Sequence, residues 1–148
     1  MNSHWVVVAG AATVRIFETD DKLAKFQLVE ELEHPKSKLK DADLVTSDRG
    51  RTRNFQGART AYEPHTDPHR TEIHVFAKEV GAKLVAAHLA RKFEHLVLVA
   101  PPVFLGELRP EIDSLGKSLL ATINKDWTQV PQHDLAGRIQ GELLANPP

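Results

Sequence analysis

Two short runs constrain this chain most: Trp5-Val6-Val7-Val8-Ala9 and Leu96-Val97-Leu98-Val99-Ala100 contain no charged side chain and are almost wholly aliphatic. A strand with one wet face alternates polar and apolar residues, whereas a strand covered on both faces does not. Both runs are therefore predicted to be central strands of a sheet with further structure packed on each side. Helices are the usual cover for such strands, which makes the class α/β.

The rest of the chain fits around them. Gly10-Ala11-Ala12 offers a tight turn, and Thr13-Val14-Arg15-Ile16-Phe17-Glu18 puts Val14 and Ile16 on one face and Arg15 and Phe17 on the other, as a hairpin partner would. Lys25 to Leu32 is predicted as a third strand of this meander. Ile73, Phe76, Ala77, Val80, Leu84, Ala87 and Leu89 recur at three- and four-residue steps, so Pro68 to Phe93 reads as one helix, with Asp67 as its N-cap. Gly81 inside it costs about 1 kcal/mol relative to Ala unless close packing requires it. Beyond the second apolar run, Leu105, Leu108, Ile112, Leu115, Leu119 and Ile123 predict a helix from Val103 to Ile123. Trp127 to Val130 is then expected to be a short edge strand and Asp134 to Leu144 a last helix.

The order is β-β-β-loop-α-β-α-β-α: a mixed five-stranded sheet, antiparallel in the meander and parallel where helices cross over, which is the ribonuclease H-like arrangement. At 148 residues with 41% apolar content, one domain spanning residues 1–148 is expected. The absence of cysteine excludes disulfides, thiol nucleophiles and Cys-ligated zinc. The run from Trp5 to Ala12 is too short for a membrane span, and the one from Leu96 to Leu105 is broken by Pro101 and Pro102, so no membrane insertion and a cytoplasmic location are expected.

Between Lys36 and His69 apolar residues become sparse, and Gly50, Gly57, Pro64 and Pro68 oppose regular structure. A loop that long inside a compact domain is usually functional or disordered. Its charge is uneven: Lys36 to Arg59 holds seven Lys or Arg against three Asp, a local +4 in a chain whose total is −1. Arg49, Arg51 and Arg53 at alternate positions can present guanidinium groups along one side of an extended segment, toward phosphates. Arg59 adds a further cation, and Phe55 and Tyr62 can stack on bases. The plainer reading is a solvated loop kept soluble by its charges.

The stretch Leu96-Val97-Leu98-Val99-Ala100-Pro101-Pro102-Val103-Phe104-Leu105-Gly106-Glu107-Leu108-Arg109 resembles the signature of the bacterial host-attachment protein family, named for proteins required for attachment to host cells. Val14 to Glu18, Asp43 to Arg51, Phe76 to Val80 and Lys125-Asp126-Trp127-Thr128 resemble other segments of that family. The resemblance spans roughly residues 5 to 142 and implies a fold similar to the middle domain of archaeal and eukaryotic peptide-chain release factors. In those factors a Gly-Gly-Gln loop reaches the peptidyl-tRNA ester. The comparable stretch here reads Asn54-Phe55-Gln56-Gly57, which makes Gln56 the candidate catalytic residue although the paired glycines are absent.

Three further groups merit testing against structure. His65, Asp67, His69 and His74 supply donor types suited to a divalent metal, but His69 and His74 diverge by about 140° on a helix, and capping explains Asp67 as well. Arg109 can hold an anion where the second apolar strand gives way to a helix; turn formation by Pro102 and close approach at Gly106 are the structural alternative. Two-metal nuclease chemistry needs carboxylates on the central strands, and the apolar runs have none. The expectation is a non-catalytic protein without a cofactor that contacts RNA or the ribosome through its basic loop. The alternatives are a hydrolase, acting on peptidyl-tRNA or with a metal, that uses Gln56 or the His65, His69 and His74 cluster, and a protein-binding adaptor in a host-attachment pathway.

Overall fold

The computed structural model describes residues 3–34 and 68–145. Five strands form one sheet: β1 (His4–Ala9), β2 (Thr13–Thr19), β3 (Gln27–Glu33), β4 (His95–Val99) and β5 (Leu119–Ile123), in the order β3-β2-β1-β4-β5. β1 pairs antiparallel with β2 and parallel with β4, and β4 pairs parallel with β5. The two apolar runs thus lie side by side at the centre, and all six residues of β1 are buried. The fold is α/β with a mixed five-stranded sheet, as the order of elements predicts.

The helices are α1 (Pro68–Leu89), α2 (Pro102–Leu108) and α3 (Gln132–Ala145), with a 3-10 segment at Arg109–Ser118. One face of the sheet, through Trp5, Val7, Ile16, Leu96 and Leu98, packs against α1, α2 and the 3-10 segment. The other face, through Val6, Val8, Phe17, Val97 and Val99, packs against Leu135 and Ile139 of α3. This division explains the unbroken hydrophobicity of β1 and β4: consecutive side chains point into different cores.

Gly81 is required where it stands. A Cβ there would overlap the Cβ of Glu111 on the 3-10 segment, so the missing side chain lets that segment lie directly against α1. Gly106 has open space in the same position and does not serve the close approach expected of it.

The predicted helix from Val103 to Ile123 is corrected into three elements. Pro102 starts α2, Pro110 lies at the start of the 3-10 segment, and Gly116 adopts φ 54° and ψ −124°, a conformation that ends helical structure. The five residues after Ser118 then pair with β4 as an edge strand. The edge strand expected at Trp127 to Val130 is a turn instead, closed by the Val130 N–H donating to the Trp127 carbonyl at 3.0 Å. α1 stops at Leu89 rather than Phe93, because Arg91 takes a left-handed conformation (φ 60°). The Lys92 N–H then donates to Ala87 O and the Arg91 N–H to His88 O, the paired bonds of a Schellman cap.

Candidate functional site

The residues that sequence places in the basic loop, Arg49, Arg51, Arg53, Phe55, Gln56, Arg59 and Tyr62, lie outside the described residues, as do His65 and Asp67. The structure does describe what flanks them. His34, just past β3, places Nε2 2.8 Å from Oε1 of Glu72, one turn into α1. Its ring stacks on Phe76 with centroids 5.2 Å apart, and its Nδ1 lies 4.0 Å from Glu79. The end of β3 and the first turns of α1 are therefore joined by one imidazole with a carboxylate near each ring nitrogen.

His69 and His74 both fall on α1, as expected. The Nδ1 of His74 is 2.6 Å from Oε1 of Glu107 on α2, and Arg70 Nε approaches the other oxygen of that carboxylate at 3.6 Å. His74 thus serves a contact between α1 and α2. Among the described residues no group of three or more His, Asp or Glu side chains is placed to hold a metal ion. Arg109 is exposed at the junction of α2 and the 3-10 segment, where it shares the rim of an open depression with Asp113.

At the carboxyl ends of the parallel strands, where open α/β sheets usually bind ligands, β1 and β4 supply no carboxylate. Asp126 follows β5 there, and its Oδ1 accepts the Thr128 hydroxyl at 2.7 Å and the Thr128 N–H at 3.2 Å. Gly10 lies against Thr128 so closely that a Cβ would stand 3.0 Å from its methyl group. Asp126 is thus committed to shaping its own turn.

Arg15 has a role that its sequence position conceals. It projects from β2 toward α3, and its Nη2 donates to the carbonyls of Trp127 at 2.9 Å and Val130 at 2.8 Å. Burial lowers the pKa of the guanidinium, and nearby Glu31 works in the opposite sense. The only sequence signal was a cation set among Val14, Ile16 and Phe17 in β2.

Comparison with solved structures finds an archaeal translation termination factor, aRF1, at 12% identity and a TM-score of 0.45, matched over 97% of this chain and 39% of that one. A Ppx/GppA phosphatase from Aquifex aeolicus is matched at 16% identity and a TM-score of 0.40, over 83% of this chain and 35% of its own. The chain thus spans little more than a third of the length of either. No curated protein matches. Among the described residues no helix is long and apolar enough to cross a membrane. The segments that Arg15 joins, Val14 to Glu18 and Lys125 to Thr128, both fall inside the region matched by a family profile described as "Protein required for attachment to host cells", which runs over residues 5–139. The chain belongs to that host-attachment family.

Proposed function

We propose that this protein acts without catalysis, in the cytoplasm, by contacting RNA on or near the ribosome through the basic segment between Lys36 and Arg59. The observation that carries the reading is charge concentration: a local +4 in a chain of net −1. Cations gathered this way bind phosphates without sequence preference and release counterions as they do so. The bond between His34 and Glu72 supports the reading, because it holds together described residues that precede and follow that segment. Attachment to host cells is, on this reading, a downstream consequence of an intracellular role.

Co-sedimentation with ribosomes from the native cell tests the proposal. Replacing Arg49, Arg51 and Arg53 together by Gln should release the protein from the ribosomal pellet, and undiminished pelleting would refute it. Partners that survive RNase treatment in a pull-down would favour the protein-adaptor reading. Release of product from peptidyl-tRNA, lost in Gln56→Ala, would favour the hydrolase.

A further inference from the structure

The sheet ends on two strands of opposite character, β3 on one side and β5 on the other. β3 carries Glu30, Glu31 and Glu33, and the first of these is paired with Lys83 at 2.8 Å. Between Lys117 and Lys125, by contrast, lie seven residues without a charge or a proline, and β5 is made from five of them. Sheets protect an exposed edge with charge, proline, a bulge or a covering element, because the unpaired amides of an edge strand recruit another strand. Both edges here have a register irregularity, but only β3 has the charges.

The backbone of β5 has bonds to offer. The Ile123 carbonyl turns toward β4, since it accepts the Ala100 N–H at 3.0 Å, and alternation along the strand then turns the N–H and C=O of Thr122 outward. Leu120 is the extra residue where the register against β4 shifts, so it has no partner on that strand. Among the described residues, no strand pairs with the outer side of β5. The edge is not roofed over either: Leu119 to Thr122 are only half-buried, and Leu119 lines the same open depression as Arg109 and Asp113.

We propose that β5 pairs with β5 of a second copy of this chain across a two-fold axis, joining the five strands of each into one continuous sheet. An axis perpendicular to the sheet runs the two strands antiparallel. With the axis at Ala121, Leu120 of each copy stands opposite Thr122 of the other, and these outward residues exchange their N–H and C=O bonds. Charge selects this partner. β5 against β5 sets uncharged residues opposite one another, whereas β3 against β3 brings carboxylates together. β5 against β3 of a further copy leaves a free edge at each end and grows into a filament. Self-pairing closes at two copies, consumes the unprotected edge and leaves only the acidic one outside.

The chain has no cysteine, so Ala121→Cys introduces a single thiol at the axis. Partners in the non-hydrogen-bonded position of an antiparallel pair have Cα atoms about 4.5 Å apart, within reach of a disulfide. Under mild oxidation this variant should become a covalent dimer, while Leu28→Cys, at an exposed position on β3, should stay monomeric. No cross-link at position 121, or equal cross-linking at both positions, would overturn the proposal. The wild-type chain should sediment with twice the mass of one chain. Thr122→Pro, which removes an outward N–H, should raise the dissociation constant of the dimer about ten-fold or more. An unchanged constant, or a wild-type chain that sediments as one copy throughout a concentration series, would refute the pairing. Slow hydrogen exchange at Thr122 in that single copy would instead assign the edge to the chain itself. The cross-linking and the wild-type sedimentation decide the matter should Thr122→Pro fail to fold.

Discussion

The guanidinium of Arg15 is bonded to the main chain of Trp127, 112 positions later in sequence, at 2.9 Å, and to Val130 at 2.8 Å. One nitrogen thereby satisfies two carbonyls of the turn that leads from β5 into α3. A bond to a charged donor contributes about 1.5–3 kcal/mol, and removing it leaves part-buried carbonyls unpaired. Arg15→Met keeps the length and loses the donor, so it should cost about 2–4 kcal/mol. In a chain of this size that lowers Tm by roughly 4–16 °C. Thermal unfolding followed by tryptophan fluorescence reports it, and a shift under about 2 °C would deny the clamp.

Gly81→Ala sets two effects against each other. Helix propensity favours Ala by about 1 kcal/mol. The added Cβ meets the Cβ of Glu111, which belongs to a backbone segment packed on α1 and not to a flexible chain end. Overpacking of that kind costs about 1–3 kcal/mol, so the variant should be less stable in urea despite its better helix former. Glu111→Gly on top of Gly81→Ala removes the obstacle and should recover part of the loss. Simple additivity of the two changes would rule out the contact.

Arg91 offers the opposite experiment. Its φ of 60° closes α1 in a region that costs a residue with a side chain about 1–2 kcal/mol and costs glycine nothing steric. Arg91→Gly should therefore raise stability by about 0.5–1 kcal/mol, read as a higher urea midpoint at constant m. Hydrogen exchange at Lys92, whose N–H closes the cap on Ala87, should slow in parallel.

These residues also mark how far the sequence could be read. The centre of the sheet was legible because hydrophobicity without alternation has one simple physical meaning, and the helical period of α1 was clear from Ile73 to Ala87, whereas Leu89, which fits the same spacing, is exposed at the end of the helix. The helix predicted through Ile123 failed because Leu115, Leu119 and Ile123 satisfy a four-residue step while Gly116, between them, turns the backbone by a dihedral only glycine tolerates. Periodicity reports which side chains are buried, and a 3-10 segment followed by an edge strand buries much the same set. The reversal of roles between Gly81 and Gly106 was invisible for a related reason, since a glycine's need for space depends on what another element brings to it. The pairing of His4 with His95 was hidden too, because a parallel register joins residues that no local pattern connects.

Salt dependence gives the RNA reading its quantitative test. For single-stranded nucleic acid the slope of log K against log salt is about −0.7 for each phosphate neutralised. If Arg49, Arg51 and Arg53 each engage one phosphate, replacing all three by Gln should make the slope shallower by about 2. Binding should weaken about equally for different sequences, since phosphate contacts carry no base information. Fluorescence anisotropy with a labelled poly(U) strand across a salt series measures this. His34→Ala, which breaks the tie to Glu72 without touching a cation, should leave the slope unchanged while lowering stability by about 1–2 kcal/mol. A slope that falls equally in both variants would mean that the loss follows from the fold and not from the arginines.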